Sequence, residues 1–228
     1  MNSPIQFGTS GWRGLIARDF TFENLRLAAQ GLAVSLKAEL RRKKSAIHGK
    51  RPLVIIGHDT RFLGREFALA TAEVLQRAGL EPLLTNRDAP TPVIAFSIRH
   101  KKAIGGVNIT ASHNPFGYSG FKFSMPNGAG APPEFTGKIE AHAAKLLAKG
   151  WQPKTAVVGT FQCKEFDPAP AYLNRIRKLI DLKAISKAKL RIAVELMHGT
   201  GRGYLDTLLE EAGVRITRFH ENLNPLFG

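Results

Sequence analysis

The sequence VNITASHNP, residues 107–115, runs from an apolar segment into a polar turn. The residues before it continue the apolar run, so 103–109 is predicted to be a buried strand of a parallel sheet. A strand that ends in a tight polar turn presents its next side chains at the carboxyl edge of the sheet, where open α/β sheets bind ligands. We therefore expect Ser112 to be exposed and held in place, with Pro115 restricting the backbone of Asn114.

Segments with helix and strand character alternate on both sides of this stretch. Periodicity and boundary residues predict helices at 22–40, 65–78, 92–100 and 132–149. Short apolar runs predict strands at 53–57, 80–84, 103–109 and 121–124. This alternation predicts an α/β fold, namely a three-layer α/β/α domain with a mixed, mostly parallel sheet.

A second α/β unit of similar type is predicted after residue 160. Residues 155–166 are predicted to be a strand or an extended link; a helix at 168–180, a strand at 190–194, a glycine-rich turn into a helix ending near 213, and a strand at 214–219 follow. Such an open sheet is small for a stable domain, so we expect this unit to be truncated. The predicted domains are therefore 1–160 and 161–228.

The chain is strongly basic, with 33 Lys and Arg against 18 Asp and Glu and a formal net charge of +15. This excess suits nucleic-acid binding, attraction of a sugar phosphate, or solvated helix faces. The basic run at 41–44, with Lys50 and Arg51, contains no interleaved aromatic residues, which disfavours a nucleic-acid site. We expect no nucleic-acid partner, and a basic binding domain is kept as an alternative.

The cellular location is predicted from what the sequence lacks. Cys163 is the single cysteine, which excludes an internal disulfide framework and favours a reducing compartment. No apolar run reaches the roughly 18 residues of a membrane span, and the N-terminus has no pattern typical of a secretory signal. We therefore predict a cytoplasmic protein with no membrane partner.

The residue types alone leave two interpretations of Ser112. A hydrolase nucleophile needs a base within hydrogen-bond reach, yet His113 follows Ser112 directly and in an extended segment would point away from it. The Gly-x-Ser-x-Gly elbow is also absent, which disfavours a Ser-His-Asp hydrolase. A purely structural turn, in which Ser, Asn and Thr satisfy local backbone groups, remains open at this point.

Residues 110–115 closely resemble the phosphoserine signature of the α-D-phosphohexomutases, which include phosphoglucomutases and phosphomannomutases. The other segments that resemble the family are, in order, 7–14, 57–61, 90–92, 120–122, 127–128 and 132–134. Together they cover nearly all of residues 5–150, and 194–203 is similar to the start of the family's second domain. The resemblance implies the N-terminal domain of such an enzyme followed by the start of its second domain.

The resemblance implies an enzyme that interconverts hexose 1-phosphate and hexose 6-phosphate. Ser112 matches the family serine that exchanges a phosphoryl group with a bisphosphorylated sugar intermediate. Arg13 matches an arginine near the transferring phosphate, and His113 matches a histidine beside the phosphoserine. Lys122 matches the lysine that acts as general acid and base, and we expect Arg13 to lower the pKa of Lys122 by like-charge repulsion.

The resemblance also implies Mg²⁺ bound to the phosphoserine oxygen, so that Ser112 would be a metal ligand through its phosphate. The remaining ligands are expected beyond Gly228, in a loop of the form Asp-Gly-Asp-x-Asp-Arg. Hexose 1,6-bisphosphate is the implied activator, and a hexose phosphate the implied substrate, with glucose, mannose and amino sugars left open. Asp59 and Arg61 are expected to form a structural ion pair. A non-catalytic mutase-like fragment is the alternative.

Overall fold

The computed structural model describes residues 5–9, 11–42, 51–153 and 161–228. The strands in this part of the chain are β1 (Trp12–Leu15), β2 (Leu53–His58), β3 (Glu81–Thr85), β4 (Gly106–Ile109), β5 (Tyr118–Ser124), β6 (Lys164–Phe166), β7 (Arg191–Glu195) and β8 (Arg215–Phe219). The helices are α1 (Phe22–Arg42), α2 (Gly64–Arg77), α3 (Thr91–His100), α4 (Pro133–Ala148), α5 (Ala169–Arg177), α6 (Leu182–Lys187) and α7 (Leu205–Glu211). Parts of three predicted features lie outside the described residues: Ser10 of the motif at 7–14, the basic residues Lys43, Lys44 and Lys50, and residues 155–160 of the predicted strand or link.

The first six described strands form one sheet in the order β1-β5-β4-β2-β3-β6. Strands β4, β2, β3 and β6 run parallel, whereas β5 pairs antiparallel with β4 on one side and with β1 on the other. The prediction of a mixed, mostly parallel sheet is therefore confirmed. Because β2 and β4 are parallel neighbours, the loops that follow them leave the same edge of the sheet.

Helices cover both faces of this sheet, as successive residues of β2 show. Val54 and Ile56 pack into a core that includes residues of α1, α2 and α4, whereas Ile55 packs with residues of α3 and α5. Successive side chains of a strand point to opposite faces, so these two cores lie on opposite sides of the sheet. The predicted three-layer α/β/α arrangement is confirmed.

Strand β1 was not predicted, because four residues with no clear alternation give a weak strand signal. It is held at the sheet edge by aromatic packing. Trp12 stacks on Phe20 with ring centroids 4.7 Å apart, and Phe20 meets the edge of Phe67, in α2, at 5.0 Å. All three residues are buried, so this cluster fixes the strand that carries Arg13.

Strands β7 and β8 form a separate two-stranded parallel sheet. This unit also contains α6, a short helix that the sequence analysis did not predict. Leu173 of α5 and Leu208 of α7 both pack into the core beneath α3, and Asp88 forms an ion pair with Arg202. The second unit is thus packed directly against the first one.

The three residues of β6 lie after position 160, yet they pair with β3 in the first sheet. The predicted division of the chain into 1–160 and 161–228 stays a prediction.

Candidate active site

Ser112 lies in the serine loop (residues 110–118), which follows β4 at the carboxyl edge of the sheet. The residue is exposed, and its backbone has a φ of 60°, a left-handed conformation that is uncommon outside glycine. The N–H of Ser112 donates to Thr110 Oγ1 over 3.0 Å, and the N–H of Asn114 donates to the Ala111 carbonyl over 3.2 Å. The prediction of an exposed serine at the end of a buried strand is confirmed.

The guanidinium of Arg61, just after β2, holds the serine loop from the neighbouring strand end. It donates to four backbone carbonyls of the loop: from Nη1 to Pro115 (2.8 Å) and Tyr118 (3.0 Å), and from Nη2 to Ser112 (3.0 Å) and Asn114 (2.7 Å). The Arg61 side chain is 2% exposed, so these bonds are shielded from water. Since a guanidinium offers five N–H donors in a rigid fork, one side chain can fix the whole turn.

The fifth donor of Arg61 goes to Asp59. Arg61 Nε donates to Asp59 Oδ2 over 3.1 Å, and the Arg61 backbone N–H donates to Asp59 Oδ1 over 3.0 Å. Burial raises the pKa of Asp59, whereas a hydrogen bond with Thr110 and the Arg61 charge act in the opposite direction. The expected ion pair between Asp59 and Arg61 is present. Its further role, clamping the serine loop, was missed.

Arg13 reaches the serine loop from β1. Its Nη1 donates to Asn114 Oδ1 over 2.7 Å, which orients the guanidinium toward the turn that carries Ser112. Arg13 is paired with Gly120 of β5, where a Cβ atom would lie 2.5 Å from the Thr110 carbonyl oxygen and 3.2 Å from Arg13 Cγ. Only glycine therefore allows the loop, β5 and Arg13 to come together here.

Lys122 lies two residues along β5 from Gly120, the partner of Arg13. Residues paired across an antiparallel ladder point to the same face, as do residues two apart on one strand, so Arg13 and Lys122 share one face of the sheet. Burial is the largest cause that lowers the pKa of Lys122; repulsion by Arg13 and Arg61 adds to it, and Asp59 opposes it. The expected direction of the shift is confirmed, but its main cause is burial rather than Arg13.

The N-terminal loop crosses the Lys122 side chain at Gly11. This glycine has a φ of 102°, and a Cβ there would lie 2.7 Å from both Lys122 Cγ and the Phe121 carbonyl oxygen. Residues of the loop, β4, β5 and α3 line a partly open cavity of ≈ 220 Å³, and Lys122 is one of them. Glycine at position 11 is thus needed both for the backbone conformation and for the close approach to Lys122.

The expectation that His113 points away from Ser112 is wrong. His113 Nδ1 lies 3.4 Å from Ser112 Oγ, a long contact for a hydrogen bond. The expectation assumed an extended segment, whereas the left-handed φ of Ser112 turns the chain and brings adjacent side chains to one side. Both residues are exposed, so a phosphoryl group on Ser112 would lie beside this imidazole.

Asn108 is a site residue that the sequence analysis did not single out. It is 4% exposed, it faces Lys122 across the β4–β5 pair, and its Nδ2 donates to Thr91 Oγ1 over 3.1 Å. The available signal was a polar side chain inside an otherwise apolar strand, since buried polar residues are uncommon and informative.

The described residues do not by themselves form a magnesium site. They contain no group of three or more His, Cys, Asp or Glu side chains that could hold a metal ion. Asp59, the carboxylate beside the serine loop, already forms an ion pair with Arg61. A phosphate on Ser112 would supply oxygen ligands, so magnesium at Ser112 stays a prediction.

Comparison with known families agrees with this geometry. The family model described as phosphoglucomutase/phosphomannomutase, alpha/beta/alpha domain I, matches residues 4–149, and the model for alpha/beta/alpha domain II of the same family matches residues 170–228. The chain belongs to the α-D-phosphohexomutase family. Its fold and its N-terminal motifs are therefore those of the phosphohexomutases, as the sequence indicated.

Two curated relatives illustrate the range of names in the phosphohexomutase family. The chain is 32% identical over 217 residues to a phosphoglucomutase/phosphomannomutase of Thermococcus kodakarensis, covering 92% of this chain and 43% of the relative. It is 31% identical over 218 residues to a phosphoglucosamine mutase of Leifsonia xyli, covering 94% of this chain and 46% of that protein. The chain thus spans less than half the length of these relatives.

A solved structure supports the fold over the whole chain. A crystal structure from Thermus thermophilus, described as a candidate phosphomannomutase, superimposes with a TM-score of 0.83 at 35% identity. The match covers 100% of this chain and 48% of that protein. Separately, none of the helices in the described ranges is both long and apolar enough to cross a membrane.

Proposed function

We propose that the chain carries the phosphoserine site of a hexose-phosphate mutase that interconverts hexose 1-phosphate and hexose 6-phosphate. The observation that supports this most is the placement of Ser112. Its exposed hydroxyl lies in a loop clamped by Arg61, at the sheet edge where Arg13 approaches the loop and shares a face with Lys122. Phosphoryl transfer depends mainly on positioning and charge neutralisation, and this edge provides fixed backbone together with cations.

The proposed transfer step starts from phosphorylated Ser112 and a bound sugar monophosphate. The bond between phosphorus and Ser112 Oγ breaks while a bond forms between phosphorus and a sugar hydroxyl oxygen. The proton of that hydroxyl passes to neutral Lys122, and Ser112 Oγ takes a proton from protonated His113, 3.4 Å away. The bisphosphorylated sugar then turns over in the site, and a transfer in the opposite direction moves its other phosphate to Ser112 Oγ, with Lys122 giving its proton to the sugar oxygen that is released.

The lowered pKa of Lys122 supports a role in proton transfer. An ordinary lysine stays charged at neutral pH, whereas a general base must be neutral in a useful fraction of molecules. Burial and the neighbouring cations lower the pKa of Lys122, which increases that fraction. Lys122 would serve as base in one direction and as acid in the other.

Arg13 is proposed to neutralise the transferring phosphoryl group. Its hydrogen bond to Asn114 Oδ1 over 2.7 Å engages Nη1, so donors of the same rigid fork remain to bind phosphoryl oxygens. Oriented donors of this kind act where negative charge develops and need no rearrangement during transfer.

The sugar is proposed to be a hexose phosphate, with glucose first and mannose second. Relatives include proteins named phosphoglucosamine mutase, so an amino sugar belongs in the assay as well. Magnesium and hexose 1,6-bisphosphate are included as the expected cofactor and activator. No step is assigned to the metal, because the described residues do not form its site.

The test is phosphorylation of Ser112 followed by intact mass spectrometry. The chain is incubated with glucose 1,6-bisphosphate and Mg²⁺, and the same incubation is repeated with the mannose and glucosamine bisphosphates. We expect one added phosphoryl group, located by peptide mapping on Ser112, and none in Ser112→Ala. Arg13→Met is expected to slow labelling without unfolding the chain.

A result with no label on Ser112 under any of these conditions would refute phosphotransfer by this chain and favour a non-catalytic mutase-like domain. Label at another position would refute the assignment of Ser112. Omitting Mg²⁺ or adding EDTA measures separately whether the metal is required.

A further inference from the structure

Asn108 carries a buried polar atom that the fold does not use. The other residues of Gly106–Ile109 are apolar, and Asn108 is 4% exposed. Its Nδ2 donates to Thr91 Oγ1, whereas its Oδ1 has no hydrogen-bond partner among the described residues. A buried oxygen without a hydrogen-bond partner destabilises the folded state, so packing alone does not account for an asparagine at this position.

Lys122 is the residue directly opposite Asn108 across the β4–β5 pair. Opposed residues of an antiparallel pair point to the same face, with Cβ atoms about 4.5–5.5 Å apart. Asn108, Thr91 and Lys122 also line the same cavity of ≈ 220 Å³, which is large and polar enough to hold water. The side chains of Asn108 and Lys122 therefore lie opposite each other in the sheet and line the same partly open cavity.

We propose that Asn108 is a positioning residue for Lys122, its Oδ1 accepting a hydrogen bond from the Lys122 ammonium directly or through one water in the cavity. This inference rests on the proposed function, in which Lys122 carries the proton. Thr91 accepts from Nδ2 and so fixes the amide, which leaves Oδ1 for the lysine. The bond would hold the ammonium at a defined point on the cavity wall.

The charges around Lys122 explain why an amide suits this position. Arg13 on β1 and Arg61 after β2 repel the ammonium, and Asp59 attracts it. A neutral oxygen stabilises the ammonium without adding an anion close to an incoming phosphoryl group. An aspartate at position 108 would hold the lysine more strongly, but it would repel phosphate.

The test measures the pKa of Lys122 itself by NMR of lysine labelled with ¹³C and ¹⁵N at the side chain, with the signal assigned from Lys122→Arg. We expect Asn108→Leu to lower the pKa of Lys122 by about one pH unit, because the ammonium loses its acceptor. Asn108→Asp is expected to raise it. Opposite directions at one position distinguish a contact with the ammonium from a general loosening of the strand.

The matched control is Thr136→Val. Thr136 lines the same cavity, but its hydroxyl donates to the Pro133 carbonyl of its own helix over 3.2 Å, so the pKa of Lys122 should not change. Thr91→Val should lower the pKa of Lys122 by less than Asn108→Leu does. If Asn108→Leu does not fold, the pKa of Lys122 in Thr91→Val and Asn108→Asp tests the proposal instead. An unchanged pKa of Lys122 in the variants at 108 and 91 overturns the proposal. Since this experiment does not depend on labelling of Ser112, failure of the proposed mutase function is observed separately.

Discussion

Replacing Arg61 with methionine is expected to release the serine loop and to destabilise the whole domain. The variant keeps an unbranched apolar stem, but it loses the four hydrogen bonds to loop carbonyls and the ion pair with Asp59. It also leaves the Asp59 side chain, which is 13% exposed, without its cation. The fold then carries a buried charge and several unpaired carbonyl oxygens.

The magnitude follows from the burial of this pair. Removing one partner of a buried ion pair costs about 3–5 kcal/mol, and each hydrogen bond to a charged group contributes roughly 1.5–3 kcal/mol. These contributions share one side chain and do not add, so we expect the free energy of unfolding to fall by about 4 kcal/mol. Arg61→Lys keeps the charge but cannot span four carbonyls, and it should lose about half as much.

The assay is urea unfolding followed by far-ultraviolet circular dichroism, with linear extrapolation to water. Arg65→Met is the matched control. Arg65 forms a 2.7 Å ion pair with Glu165, but its side chain is 40% exposed, and exposed pairs contribute about 0–1 kcal/mol. If the free energies of unfolding of Arg61→Met and Arg65→Met differ by less than about 1 kcal/mol, the hydrogen bonds from Arg61 to the serine loop contribute less to stability than the structure indicates, and the reasoning is refuted. Amide exchange in the serine loop should also accelerate in Arg61→Met and stay unchanged in the control.

Three further outcomes can be checked in the same way. Gly11→Ala should destabilise the chain by about 1–3 kcal/mol, because a Cβ at position 11 would lie 2.7 Å from Lys122 Cγ and from the Phe121 carbonyl oxygen. Gly137→Ala in α4 is the control: a Cβ there meets no atom within 4 Å, so this variant should stabilise the chain by about 0.5–1 kcal/mol. Equal changes in the free energy of unfolding would contradict the geometry. Phe20→Ala should cost about 3–5 kcal/mol in urea unfolding, because its side chain is fully buried, and a loss under about 1 kcal/mol would show that the cluster collapses around the gap. The pKa of Lys122 in the folded state is lowered below its ordinary 10.5, so between the folded and unfolded pKa values the unfolded state binds more protons. The free energy of unfolding of the wild type, relative to that of Lys122→Met, should therefore rise as the pH is raised toward 10.5. A relative stability that stays constant or falls with pH would contradict the lowered pKa.

The regular parts of the first unit could be predicted from the sequence because their signals are local. The four helices predicted in it have bounds within two residues of those observed, since periodicity, Pro92 and Gly79 mark them clearly. The apolar run at 53–57 matches β2, which is buried on both faces. Such a run predicts a central parallel strand, and the structure places β2 between β4 and β3.

The elements that were missed depend on tertiary contacts. Strand β1 is defined by its pairing with β5 and by the packing of Trp12, neither of which is visible in four residues. The helix Leu182–Lys187 has a capping bond from the Ala184 N–H to Asp181, but it is too short to show a period. The sequence predicts either a strand or an extended link for the segment that contains β6, and the pairing of β6 with β3 shows that it is a strand.

The candidate site residues likewise include some that the sequence predicts and some features that depend on tertiary contacts. Ser112, Arg13 and Lys122 were singled out by motif, and the structure places all three near one edge of the sheet. The sequence could not show that burial would be the main cause of the Lys122 shift, because burial depends on the loop that crosses at Gly11. Nor could it show the turn that brings His113 to Ser112, since a left-handed serine has no local signature.

The strand order explains how residues far apart in sequence meet at the serine loop. Arg13 lies on an edge strand, yet it reaches Asn114 because β5 runs antiparallel between β1 and β4 and returns the chain directly from the loop. Arg61 reaches the same residue from the other side, through the Asn114 carbonyl, because β2 is the parallel neighbour of β4. Asn114 is thus held by its side chain from one strand and by its backbone from another. The position of Ser112 consequently depends on the packing of Trp12 as well as on Arg61. A substitution that disturbs the packing of Trp12 against Phe20 should therefore displace the serine loop, even though no atom of the candidate site is changed.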